Sequence, residues 1–331
     1  MNIEPIQQAG VLHRYATRLV AFEHTRTPHP SIEPRNILLF VPGLGDGFLT
    51  VPYSTALAPC LPASYSLVQP LLSSSYNGWG TSSLGLDVAE IAQCVAYFRR
   101  IRPGAKVVLM GHSTGCQDVI HYLLSPGLDA RPTIDGVIMQ APISDRECFL
   151  MVLDQESYDA GVKVAQAYVE DGRGEDVLPG SVTGMFPRTP ISARRWLSLT
   201  SPGPEHDGED DYFSSDFSDE RLKATFGKIG ATAVPICFAF SGADEHVPNF
   251  VDKERLVSRW ERFIREGGGV VDEASGVVRG ATHNLARSTE ERTSDDSVQD
   301  LLSRVVGVAQ RVETGKLQLQ TRNGGHDKSS F

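Results

Sequence analysis

Lys106-Val107-Val108-Leu109-Met110-Gly111-His112-Ser113-Thr114-Gly115-Cys116-Gln117-Asp118 is the stretch on which the fold turns. Lys106 to Met110 is a short apolar run and reads as a buried strand, and Thr114 to Leu124 reads as a helix. Between them, Gly111-His112-Ser113-Thr114-Gly115 fits Gly-x-Ser-x-Gly, whose small flanking residues allow a sharp strand-to-helix turn that exposes the serine hydroxyl. Five residues of this kind also arise by chance, so the strand before and the helix after carry the weight. In that setting Ser113 is a candidate nucleophile, against the plainer reading of a serine capping a helix.

Outward from this turn, strands and helices alternate. Upstream, Leu86 to Ile101 places Val88, Ile91, Val95 and Phe98 at helical spacing, with Asp87 and Glu90 early and Arg99 and Arg100 late, as the helix dipole favours. Ser66 to Leu72 and Asn36 to Val41 read as strands, the latter emptying into Pro42-Gly43-Leu44-Gly45-Asp46-Gly47. The alternating runs Val11 to Tyr15 and Arg18 to Phe22 predict a leading antiparallel hairpin, followed by a loop over Thr25 to Pro34. Downstream, Ile134 to Gln140 is another strand. From Asp145 to Gly230 the pattern changes to helical patches, many charges and Gly-Pro punctuation, which predicts an insertion after the sixth strand acting as a lid. Alternation resumes with Pro235 to Phe240 as a strand, Lys253 to Glu266 as a helix, a last strand within Gly269 to Val278 and a closing helix over Ser297 to Val312. Near-continuous apolar strands alternating with helices imply an α/β architecture, a mostly parallel central sheet with helices on both faces. With a serine elbow at its centre, this is the α/β-hydrolase fold. The expected organisation is a core of residues 1–144 and 231–313, a lid of residues 145–230, and a disordered polar tail of residues 314–331.

A serine hydroxyl is a poor nucleophile at neutral pH, so a histidine must take its proton and a carboxylate must orient that histidine. In this fold the chain order is Ser, acid, His. Of nine histidines, His206, His246, His283 and His326 lie well beyond the elbow helix. His206 falls in the lid and His326 in the tail; His283 follows the last strand by a short loop, and His246 is its rival. For the acid, Asp244 follows the strand ending near Phe240 through Ser241-Gly242-Ala243, which leads to the carboxyl edge of the sheet where ligands collect. Asp145 and Glu245 are alternatives. Two backbone N–H groups must face the oxyanion, and Thr114 and Leu44 stand where the turn and the glycine-rich loop would supply them. That loop lacks Gly-Lys-Ser/Thr and Gly-x-Gly-x-x-Gly spacing, which argues against a nucleotide site. The histidines are dispersed and His-Glu-x-x-His is absent, so no metal site and no cofactor is expected.

Composition narrows the partners. A chain of 331 residues with 40% hydrophobic residues suits one core with an inserted subdomain. No stretch approaches the roughly 18 unbroken apolar residues of a membrane span, and Met1 to Gly10 is too polar for a signal peptide, so a cytoplasmic protein is expected. Five scattered cysteines read as reduced thiols. A formal charge of −10 without a clustered Lys/Arg excess disfavours nucleic acid as partner. Nothing in the sequence fixes an oligomeric state.

Three segments together resemble a known family: Val41-Pro42-Gly43-Leu44-Gly45-Asp46, Ser75-Tyr76-Asn77-Gly78-Trp79-Gly80 with Ser83-Leu84, and Gly111 to Asp118. They are similar to a fungal and plant α/β-hydrolase family long described as of unknown function, whose best-understood fungal members are siderophore esterases. The resemblance implies hydrolysis of ester bonds joining the hydroxamate units of a ferric siderophore of the fusarinine C type, with the iron arriving as part of the substrate. It also implies a triad at Ser113, Asp244 and His283. Because fusarinine C carries free amines, Asp46 and the lid run Glu205, Asp207, Glu209, Asp210 and Asp211 are candidates for favouring a cationic ligand, the alternative for the run being a solvated acidic loop. Trp79 is a candidate for lining the pocket, with core packing the equal alternative.

Overall fold

The computed structural model describes residues 7–25, 34–127, 130–184, 186, 188–285 and 295–316. Its centre is an eight-stranded sheet: β1 (Gly10–Arg14), β2 (Val20–His24), β3 (Asn36–Val41), β4 (Tyr65–Leu71), β5 (Val107–His112), β6 (Gly136–Gln140), β7 (Ile236–Ser241) and β8 (Gly276–Val278). The spatial order is β1-β2-β4-β3-β5-β6-β7-β8. The leading hairpin is antiparallel, β2 runs antiparallel to β4, and every later pairing is parallel. This is the α/β-hydrolase arrangement.

The apolar runs form strands because both faces of the sheet are covered. Every residue of β3, β5, β6 and β7 is buried. Alternate side chains serve opposite layers: Ile37, Leu39 and Val41 enter one core, Leu38 and Phe40 the other. The first layer holds α2 (Leu84–Ile101), α3 (Gly115–Leu124) and α8 (Lys253–Glu266); the second holds α1 (Tyr53–Cys60) and α9 (Asp295–Thr314). The helix α2 begins where Ser83 accepts the N–H of Leu86, and α8 where Asp252 accepts that of Arg255. Caps of this kind are worth about 1 kcal/mol each.

The segment between β6 and β7 does not pack as one unit. The helices α4 (Asp145–Val152), α5 (Gln155–Glu170) and α6 (Ala193–Thr200) gather a separate cluster of Phe149, Tyr158, Trp196 and Leu199, joined by Trp79 from the core side. The helix α7 (Asp219–Gly230) instead belongs to the main core, where Leu222, Phe226 and Ile229 meet Phe238 and Trp260. Its backbone lies so close to the end of α8 that a Cβ on Gly267 would collide with the Gly227 carbonyl. Within residues 145–230, expected to form a lid, α7 thus packs with the sheet layer, because its apolar stripe has its partners there. The last strand is also shorter than the expected span, since Asp272 turns the chain by accepting the N–H of Ala274 and the guanidinium of Arg311. Most of the loop expected over Thr25 to Pro34, and the tail from residue 317, lie outside the described residues.

Candidate active site

The turn after β5 is as tight as its sequence requires. Ser113 adopts φ of +53°, a left-handed conformation that a non-glycine residue holds only under constraint. A Cβ on Gly111 would strike the Gly115 carbonyl, and one on Gly115 the Val41 carbonyl, so both flanks must be glycine. The N–H of Ser113 donates to the Gln140 carbonyl at 3.1 Å. The strand that leads to Ser113 is therefore anchored to its neighbour where the chain turns.

Three side chains far apart in sequence meet above this turn. His283 Nε2 lies 2.9 Å from Ser113 Oγ, and His283 Nδ1 lies 2.8 Å from Asp244 Oδ2. Asp244 reaches the histidine from the loop after β7, and His283 follows β8 by five residues. The other Asp244 oxygen accepts the backbone N–H of His246 at 3.0 Å. Of the rival acids, Glu245 accepts the backbone N–H of His283 at 2.8 Å, and Asp145 accepts the side-chain amide of Gln117 at 2.8 Å. The rival base His246 packs its ring edge-on against His283, with centroids 4.7 Å apart. His206 bonds the Ser201 carbonyl within the segment before α7, and His326 lies outside the described residues.

Electrostatics follow from these contacts. Burial opposes the charged form of His283, but the hydrogen bond and charge of Asp244, with Glu245 and Asp46 beyond, outweigh it and raise the imidazole above its ordinary range. His112 is pushed the other way, to about 3, by burial and then by the neighbouring His283 charge, so it stays neutral. Burial raises Asp145 to about 8, the charge of Asp210 adding to it and Arg195 opposing it.

The glycine-rich loop lies directly against the serine. A Cβ on Gly43 would sit 2.7 Å from Ser113 Cβ. Among the described residues, the N–H groups of Leu44 and Thr114 have no protein acceptor. Asp46 staples this loop: its carboxylate accepts the Gly43 N–H at 3.3 Å and the Thr50 hydroxyl at 2.8 Å. Both of its oxygens are thus engaged locally. Trp79 is buried in the separate cluster around α4, α5 and α6, edge-on to Phe186 at 5.0 Å, and its indole nitrogen is 3.9 Å from where a Cβ on Gly45 would stand. Packing and proximity to the loop hold together at this residue.

The acidic run Glu205 to Asp211 divides. Glu205 and Asp207 are exposed, and Glu209 accepts the N–H of Leu84 at 3.2 Å. Asp210 is buried against Arg195, and Asp211 is buried 2.9 Å from Arg146. The last two are therefore neither solvated nor free for a cationic ligand, because each is already neutralised by a guanidinium. A cavity of about 710 Å³ between α2 and α6, lined by Ser83, Gln166, Arg195 and Glu209 among others, contains none of Ser113, Asp244 and His283.

Two side chains hold the main chain of His283 in ways that the sequence does not specify. Glu245 entered only as a rival acid, yet it holds the main chain of His283. Gln140 was read only as the end of a strand; a polar residue closing the apolar run Val137-Ile138-Met139 was the available signal.

Comparison with known proteins adds an independent line. Residues 1–307 match the family described as Protein of unknown function (DUF1749). An esterase of Emericella nidulans is 41% identical over 327 residues, covering 83% of this chain and 86% of that protein. The fusarinine C esterase sidJ of Aspergillus fumigatus is 40% identical over 336 residues, covering 88% and 94% respectively. Among solved structures, the siderophore hydrolase EstB from Aspergillus fumigatus superposes with a TM-score of 0.80 at 38% identity, covering 92% of this chain and 98% of that one.

Proposed function

Because this chain belongs to the DUF1749 family and carries Ser113, His283 and Asp244 in one hydrogen-bonded row, we propose that it is a serine esterase that cleaves the ester bonds of a hydroxamate siderophore of the fusarinine C type. The observation that carries the chemistry is the pair of contacts at 2.9 and 2.8 Å around the His283 ring. Relatives at about 40% identity named as a fusarinine C esterase and a siderophore hydrolase support the substrate class.

In this reading Ser113 Oγ attacks the ester carbonyl while His283 Nε2 takes its proton. Asp244 keeps the ring in the tautomer with hydrogen on Nδ1 and stabilises the imidazolium that forms, remaining ionised throughout. The N–H groups of Leu44 and Thr114 receive the oxyanion. Collapse of the tetrahedral intermediate breaks the ester C–O bond, His283 returns the proton to the departing alcohol, and Ser113 is left acylated. Water, deprotonated by the same histidine, then releases the acid. Iron travels in the substrate: cutting one ester link separates hydroxamates that had bound it at high effective concentration, so the metal is held less tightly.

We place this activity in the cytoplasm. All five cysteines are free thiols, as a reducing compartment favours. No helix among the described residues is long and apolar enough to cross a membrane.

A fluorophosphonate should label wild-type protein at Ser113 and leave Ser113→Ala unlabelled; an unlabelled wild type would overturn the esterase reading. Turnover of ferric fusarinine C well above that of simple acyl esters is the expected preference. Equal or reversed rates would retain the esterase and discard the siderophore.

A further inference from the structure

Gln140 ends β6, the strand between the one that leads to Ser113 and the one that leads to Asp244. At that position a single side chain touches the loops of both neighbours. Its Nε2 donates to Ser241 Oγ at 3.0 Å, three residues before Asp244, and to the backbone carbonyl of His283 at 3.2 Å. Its Oε1 accepts the Tyr53 hydroxyl at 2.8 Å and is hydrogen-bonded to Nδ1 of His112, the residue before the nucleophile. Its main-chain carbonyl accepts the N–H of Ser113 and the thiol of Cys116. Two amide donors and the amide acceptor are all used, in a residue 1% exposed. The arrangement fixes the amide orientation and puts the His112 proton on Nδ1.

The consequence concerns the base. The peptide of His283 is gripped on both sides, its N–H by Glu245 and its C=O by Gln140. The histidine stands on a loop after a strand of only three residues, so regular sheet pairing gives that loop little support. Gln140 ties it to the nucleophile turn, whose position it also sets.

We propose that Gln140 is a positioning residue for the reaction, holding the His283 loop in register with the Ser113 turn so that the imidazole stays within proton-transfer distance of the hydroxyl. This rests on the serine-esterase reading above. Only an amide satisfies the set. A carboxylate has no hydrogen for the His283 carbonyl, and an apolar side chain would strand the Tyr53 hydroxyl and His112 Nδ1 without an acceptor.

The test compares Gln140→Glu and Gln140→Met with wild type, using p-nitrophenyl acetate turnover over pH and the rate of fluorophosphonate labelling at Ser113. Folding is followed by thermal melting. Loosening the base should lower kcat on the order of 10²-fold with little change in KM. In Gln140→Glu the loss should appear as a new alkaline limb: the protonated carboxyl donates a hydrogen bond in place of the amide, and the ionised one repels the His283 carbonyl. Wild type, with no ionisable group at this position, should show no such limb, and a merely structural defect would not produce one. If Gln140→Met fails to fold, the limb in Gln140→Glu decides. Folded variants with wild-type kcat, or a loss that only tracks the unfolded fraction and shows no new limb, would overturn the proposal. A wild type that neither labels nor turns over ester would instead remove the reading on which it rests.

Discussion

The edge of the sheet and the segment between β6 and β7 both bury aspartates, and they neutralise them differently. At the sheet edge Asp244 meets an imidazole, whose charge can come and go. In the segment between β6 and β7, Asp210 and Asp211 meet Arg195 and Arg146, whose guanidinium groups stay charged at every working pH. In the proposed mechanism the carboxylate that answers a moving proton is the one paired with a titratable ring. One that only holds two segments together is paired with a permanent cation. Similar residues in similarly polar stretches of sequence thus take opposite tasks, and the partner decides which.

The sharpest way to break this contrast is to remove the charge at each place. Asp244→Asn should lower kcat on the order of 10⁴-fold while the melting temperature changes little. If it lowers the melting temperature and leaves the kcat of the folded protein intact, Asp244 belongs with Asp210 and Asp211. Arg195→Met should do the reverse, leaving Asp210 buried and unpaired at a cost of about 3–5 kcal/mol in denaturant unfolding. Adding Asp210→Leu should recover most of that loss, and failure to recover would mean that Arg195 does more than neutralise Asp210.

Smaller effects sharpen the comparison. Asp145→Asn should change kcat by less than about tenfold, since its partner is Gln117 and not the base. Its effect should appear in stability against pH. The folded-state value of about 8 lies above the ordinary carboxyl range, so between about pH 4 and 8 the folded state holds a proton that the unfolded state has lost. Stability from this group therefore falls as pH rises through that window, and the asparagine variant should lack that part of the slope. The raised imidazole of His283 predicts that the acid limb of kcat/KM lies above about 6.5 and shifts downward in Asp244→Asn. A limb below that value would contradict the ion-pair geometry. Smallest of all, reversing the exposed Glu205 and Asp207 should leave relative rates on free-amine and acetylated siderophores within about twofold, because solvent screens exposed charges. A larger change would bring the lid run back as a ligand contact.

Local pattern made much of the core legible. Asn36–Val41 and Lys253–Glu266 have the boundaries their sequences suggest, the first because an unbroken apolar run suits a strand buried on both faces, the second because its apolar stripe faces one layer. Less legible was Tyr53–Cys60, a helix that carries Pro59 in its last turn and has no acidic first turn. The role of α7 was also hidden: its charges suited a lid, while Leu222, Phe226 and Ile229 find their partners on a strand and a helix that come later in the chain. At the site, Ser113 was marked by a five-residue pattern that needs no distant partner. Asp244, Asp145 and Glu245 stayed alternatives because each follows a strand or adjoins one that does, and sequence spacing does not say which carboxylate faces the ring.

The sequence by itself determined most strands of the sheet and the helices beside the turn, the sharp turn at Ser113, and a short set of acids and histidines placed after strands. Those properties depend on neighbours a few residues away, where backbone sterics and apolar periodicity act. Only the tertiary structure decided that Asp244 takes the ring, that Glu245 and Gln140 hold the main chain of His283, and that Asp210 and Asp211 are locked to arginines. Hydrogen bonds and desolvation are set over a few ångströms in space, and the groups concerned are brought to that distance by a sheet whose strands come from all along the chain.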